Sequence, residues 1–144
     1  MKFLLSLFVL ALGLPAVALA EQSAKFGDIE VHYNAMPTSD LLPEVAKNYK
    51  LERSQTLGLL TISVLRKNQL GVGQPIKAEL TAHMVNQYNQ LGNIDMREVV
   101  EGPAIYYLGE FRMSPPDTLK FTVNVKPQGS SQTLKVEFDR KVYP

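Results

Sequence analysis

The chain has 144 residues, 45% hydrophobic and 20% charged, with nine glycines, nine prolines and no cysteine. Such a composition suits one globular domain behind a leader and excludes a disordered, collagen-like or coiled-coil chain. Without cysteine there is no disulfide framework, thiolate zinc site or cysteine nucleophile. A formal net charge of +1 advertises no basic surface for nucleic acid.

Lys2 is a short positive n-region, and Phe3 to Leu14 is an uncharged apolar run. Pro15 breaks that run, and Ala18-Leu19-Ala20 is a small-x-small cleavage pattern. The run falls short of the ~20 residues a spanning helix needs. The expectation is a cleavable signal peptide over residues 1–20, a single domain over 21–144, and a periplasmic protein with no transmembrane segment after processing. Loss of Lys2 with the leader leaves 14 basic against 14 acidic residues, a neutral domain with no field to steer DNA or anionic lipid.

Period-two alternation dominates the rest of the chain. Ile29, Val31 and Tyr33 alternate with Asp28, Glu30 and His32 as a first strand. Thr38, Ser39 or Asp40 can then cap a short helix over Leu41 to Tyr49, with Pro43 in its first turn. Leu60, Ile62 and Val64 mark the second strand, and Ile76 to Met84 the third. A fourth begins at Ile94 and Met96 and ends near Val100, and a fifth covers Ile105 to Met113. The sixth is the cleanest: Leu119, Phe121, Val123 and Val125 alternate with Lys120, Thr122 and Asn124. Leu134, Val136 and Phe138 mark the last. Gly- and Pro-containing separators supply the turns. The pattern predicts an all-β, antiparallel, immunoglobulin-like sandwich of about seven strands with one short crossover helix. A small closed barrel is the alternative.

Chemistry is sparse. His32 and His83 both fall on polar strand phases. A copper carrier needs soft ligands. The run His83-Met84, then Met96 and Met113, is similar in outline to sandwich-type periplasmic copper chaperones, but their C-terminal His-x-Met pair is missing. Adjacent strand residues also face opposite ways, which separates His83 from Met84. Asp28 and Glu30 share a strand face roughly 7 Å apart, a spacing glycosidase carboxylates use, though charge on an edge strand also simply blocks aggregation. No serine lies in Gly-x-Ser-x-Gly or Ser-x-x-Lys. Asn86 to Glu101 is the most polar long stretch and suits adaptable hydrogen bonding to a partner.

Several blocks together carry a resemblance: Phe26 to Ala35, Pro43-Glu44-Val45-Ala46, Arg53-Ser54 with Gly58-Leu59-Leu60, Arg97-Glu98-Val99 with Glu101-Gly102, Ala104 to Phe111, and Tyr143-Pro144. The chain resembles a family of small exported bacterial proteins known as domain of unknown function four-four-two-six. The resemblance implies a compact periplasmic β-sandwich and no reaction. It makes the non-core residues of those blocks, His32, Asn34, Arg53, Arg97 and Glu98, the candidate binding surface. Strand parity places Glu98 inward and Arg97 outward, free to meet a ligand, unless a bulge near Val99 shifts the phase. The functional expectation is a non-enzymatic periplasmic binding or accessory module, with no cofactor and no nucleic acid, that presents a sheet edge and loops to an envelope protein or ligand. The alternative is a periplasmic enzyme or copper carrier using His32, His83 or the methionines.

Overall fold

The computed structural model describes residues 22–144, and the expected leader lies outside them. β1 (Gln22–Phe26) and β2 (Ile29–Pro37) form a hairpin. Its turn is Gly27-Asp28, where Gly27 takes φ +65, the left-handed region that favours glycine. A 3-10 turn, Thr38–Asp40, and helix α1 (Pro43–Asn48) come next. The remaining elements are β3 (Leu57–Lys67), β4 (Gly73–Pro75), β5 (Ala78–Val85), β6 (Leu91–Ile94), β7 (Arg97–Glu101), β8 (Ala104–Arg112), β9 (Asp117–Pro127) and β10 (Leu134–Val142).

They make two antiparallel sheets. The first runs β1-β2-β3-β8-β7, with β4 paired to the far end of β3. The second runs β10-β9-β5-β6. Alternation sets the faces. Val31, Leu60, Ile62 and Val64 of the first sheet meet Leu119, Phe121, Val123 and Val125 of the second, and none is more than 1% exposed. Rings from both sheets stack in the middle: Tyr33 on Phe138 at 4.4 Å, Phe138 on Phe121 at 4.9 Å, and Phe121 edge-on to Phe111 at 5.0 Å. The fold is therefore an all-β sandwich, with the sixth strand's alternation as the sequence has it.

Three differences have physical causes. β1 and β4 are short edge pieces without sustained alternation, so periodicity does not reveal them. The fourth expected strand is two: β6 belongs to the second sheet and β7 to the first. The chain crosses between sheets at Asp95-Met96, over Gly109 of β8. A Cβ on Gly109 would fall 2.5 Å from both Ile94 Cγ2 and Met96 Sδ. Finally, α1 links β2 and β3, neighbours in one sheet, and so lies over that sheet's outer face. Leu41, Ala46 and Leu51 pack there on Leu59 and Leu108 as a second small core.

Pro43 does open the helix, but Leu42 holds the cap position and no side chain caps it. Thr38 instead trades hydrogen bonds with Ser54. Its Oγ1 donates to the Ser54 carbonyl at 3.1 Å and accepts the Ser54 amide at 2.8 Å.

Candidate functional site

The five sequence-derived candidates do not converge; each is engaged inside the fold. His32 and Asn34 lie on the outer phase of β2, between buried Val31 and Ala35. His32 Nε2 sits 2.9 Å from Glu30 Oε1. Asn34 Oδ1 accepts from Arg140 Nη2 at 2.7 Å, while Arg140 Nε donates to the Ala35 carbonyl at 2.7 Å. That guanidinium reaches from the second sheet to the first, so it ties the two layers together. Arg53 donates to the Leu41 carbonyl at 2.9 Å and the Ser39 carbonyl at 3.0 Å, closing the segment on either side of α1.

Arg97 and Glu98 fall on opposite faces, as parity predicts. The expectation that Arg97 is free is corrected: its Nη2 donates to the Tyr49 carbonyl at the end of α1. The Tyr49 hydroxyl in turn donates to the Glu101 carboxylate. That hydrogen bond, reinforced by burial and by the charge on Glu101, pushes the Tyr49 pKa up to about 12. Glu98 occupies the inner phase opposite Tyr107, but at the open margin of the sandwich. It is 36% exposed, 3.6 Å from Lys77 Nζ and 3.4 Å from the Tyr107 hydroxyl.

The catalytic and metal readings gain no geometry. Asp28 sits in the β1–β2 turn near Arg66 at 3.7 Å, and Glu30 pairs with His32, so each carboxylate has its own basic partner. His83 lies on the outer phase of β5 and His32 on the outer phase of β2, which puts the two imidazoles on opposite sides of the sandwich. Met84 and Met113 are core residues, and the partly buried Met96 packs against the same core. Among the described residues no three His, Cys, Asp or Glu side chains are grouped to hold a metal ion.

Surface opportunity lies instead at one end of the sandwich. Asn86 Oδ1 accepts the amides of Tyr88 and Gln90 at 2.9 and 3.0 Å, and its Nδ2 donates to Gln90 Oε1 at 2.7 Å. The start of the polar stretch, Asn86 to Gln90, thus builds the β5–β6 hairpin, with the apolar side chains of Tyr88 and Leu91 left exposed on it. Nearby, a groove of about 550 Å³ opens between the ends of β2 and β10, lined by Met36, Pro37, Asp40, Arg140 and Tyr143. A charged residue on the apolar phase of β10, between Phe138 and Val142, was a readable sign that Arg140 does something special. Nothing in the Pro115-Pro116-Asp117 turn announces that Asp117 is buried.

These features define an all-β sandwich with a shaped loop end. The chain belongs to the family described as Domain of unknown function (DUF4426), whose model matches residues 23–144. A crystal structure of a DUF4426 family protein from Pseudomonas aeruginosa is 31% identical, with a TM-score of 0.72 over 86% of this chain and 95% of that one. FetP from uropathogenic Escherichia coli shares the fold at 14% identity, with a TM-score of 0.61 over 86% of this chain and 94% of that one. A copper-bound variant of FetP matches at 14% identity and TM-score 0.61, over 85% and 95% of the two chains. No curated protein matches the chain. Among the described residues no helix is long and apolar enough to cross a membrane.

Proposed function

We propose that this protein is an exported, non-enzymatic module that takes an extended segment of an envelope protein along β10. The carrying observation is the free side of that strand. Among the described residues β10 pairs only with β9, across Leu134–Val142, and its end runs into the 550 Å³ groove. An unpaired edge offers main-chain hydrogen bonds for affinity and alternating side-chain sites for selectivity.

The edge of β2 is less suited. Past Tyr33 no described strand covers it, yet Arg140 already occupies the Ala35 carbonyl and Pro37 has no amide to give. On β10, exposed Lys135, Glu137, Asp139 and Lys141 discourage a purely apolar strand and favour a segment of mixed charge. The scattered placement of the polar candidates supports binding over catalysis, since acid–base or nucleophilic chemistry needs groups within hydrogen-bond reach of one another.

The cysteine-free chain makes the test direct. Single Glu137→Cys, Lys141→Cys and Thr81→Cys variants carry a photo-cross-linker in the periplasm. One discrete adduct from the two β10 positions and none from Thr81 is expected. The absence of any β10 adduct, or the same adduct from all three, overturns the reading. Mass spectrometry of the exported protein is expected to find Glu21 at the N-terminus, and an intact Met1 overturns the export step.

A further inference from the structure

We propose that the cleft between the β5–β6 hairpin and the β8–β9 turn is a binding site for a small zwitterion of the α-amino-acid type. The proposal is independent of the β10 edge. The cleft has a volume of about 250 Å³, and Tyr88, Gln90, Arg112, Ser114 and Asp117 line it. That is below the roughly 300–1,000 Å³ of sites for drug-sized ligands, and so of amino-acid scale.

Two charged groups on this cleft keep hydrogen-bonding capacity that no described residue takes up. Asp117 is only 7% exposed. Its Oδ1 accepts both the Gln87 amide at 2.9 Å and the Thr118 amide at 2.7 Å. No described residue donates to its Oδ2, which is nevertheless not sealed off from solvent. A carboxylate oxygen of a largely buried residue without a donor is costly unless a ligand or water supplies one. Arg112, at the end of β8, likewise has no hydrogen bond or ion pair among the described residues. It lines the same cleft as Asp117, and the two do not join as a pair. Opposite charges kept apart across a small cleft match a ligand that carries both.

The assignment of ends rests on chemistry. The ligand ammonium donates to Asp117 Oδ2 and meets the exposed Tyr88 ring, whose face attracts a cation. The ligand carboxylate takes the planar fork of Arg112. The hairpin is pre-organised for this. Asn86 fixes its turn, Asn89 takes φ +60, and Gln87 is anchored both to Asp117 and, through Nε2 at 3.1 Å, to the Pro116 carbonyl. Little order remains to be gained on binding, which favours affinity.

The test is an NMR titration of the full mature chain with L-alanine, following the Gln87 and Thr118 amides, with n-propylamine and propionate as half-ligands. L-alanine is expected to shift both amides saturably, n-propylamine more weakly, and propionate not at all. Asp117→Asn keeps the Oδ1 acceptor that holds the hairpin but replaces the free acceptor with a donor. It is expected to weaken L-alanine binding at least about tenfold, about 1.4 kcal/mol. Arg112→Gln is expected to weaken L-alanine as much while leaving n-propylamine unchanged. No saturable shift from L-alanine overturns the proposal, as does unchanged affinity in either variant. If Asp117→Asn does not fold, Arg112→Gln and its split between L-alanine and n-propylamine decide the matter.

Discussion

The Tyr107 hydroxyl accepts the Ala78 amide at 2.9 Å and reaches the Glu98 carboxylate at 3.4 Å. Tyr107 belongs to β8 of the first sheet and Ala78 opens β5 of the second, so one side chain joins both layers at the margin of the core. Burial pushes the Tyr107 pKa above 10.0, and Glu98 adds to the rise, while the Ala78 amide opposes it. A raised phenol pKa means that this contribution is present below pH 10 and lost as pH climbs through the folded-state value.

Tyr107→Phe is expected to destabilise by about 1–3 kcal/mol, because it leaves the Ala78 amide without its acceptor. Glu98→Ala is expected to cost no more than about 1 kcal/mol, the usual limit for a solvent-screened pair. The inward strand phase of Glu98 brings no larger cost, because the carboxylate lies at the open margin of the sandwich, 36% exposed. Urea denaturation of the two variants separates the cases. A larger loss from Glu98→Ala than from Tyr107→Phe shows that the carboxylate, and not the amide contact, holds this margin.

Phe121 sits 1% exposed between Phe138 and Phe111, while Lys120 faces solvent. Phe121→Ala is expected to cost about 3–5 kcal/mol through transfer and cavity terms. Lys120→Ala is expected to stay within about 0.5 kcal/mol. Equal shifts in the denaturation midpoint contradict the assigned faces.

How legible was this molecule? Where one face is buried and the other wet, as in β9, alternation states the phase outright, because a one-residue slip inverts every side chain. The crossing at Asp95-Met96 was not legible. Ile94 and Met96 both pack on the core and keep strand parity although the chain changes sheets between them. The blocks containing Asn34, Arg53 and Arg97 stand out as polar. Sequence does not say that their partners are Arg140, the Leu41 and Ser39 carbonyls, and the Tyr49 carbonyl, since each bond closes a long gap in the chain. Arg112 and Asp117 flank one turn, but Tyr88 lies far from them in sequence and joins their cleft only because two loops share one end of the sandwich.

Gly109→Ala tests the crossing. A Cβ there would press on Ile94 and Met96 at 2.5 Å and on the Asp95 carbonyl at 3.1 Å. Backbone and two packed side chains cannot all give way cheaply, so the expected loss is about 1–3 kcal/mol, as for other overpacked sites. Gly102→Ala is strained for a different reason, its φ of +54 with open space around it. Hydrogen exchange distinguishes them. Gly109→Ala is expected to loosen the β6 amides, and Gly102→Ala only the β7–β8 turn. Undisturbed β6 protection in Gly109→Ala means the crossing does not depend on this glycine.

Alkaline pH offers a separate handle on the helix. Tyr49 donates its hydroxyl to Glu101 and its carbonyl accepts from Arg97, so two β7 side chains hold the end of α1. The Tyr49 pKa is raised from 10.0 to about 12, first by the hydrogen bond to Glu101. The folded state therefore binds this proton more tightly than the unfolded chain. The resulting stabilisation is complete below pH 10 and is lost as pH rises through about 12. Tyrosinate absorbance is expected to show, besides the raised Tyr107, a phenol that titrates near 12, lost in Tyr49→Phe and moved back toward 10.0 in Glu101→Gln. Arg97→Ala is expected to lower stability by about 0.5–1.5 kcal/mol, the net worth of one such hydrogen bond, at neutral pH as well as alkaline. If Glu101→Gln leaves the late titration in place, the carboxylate is not what retains the proton. The hold of β7 on α1 then rests on Arg97 alone.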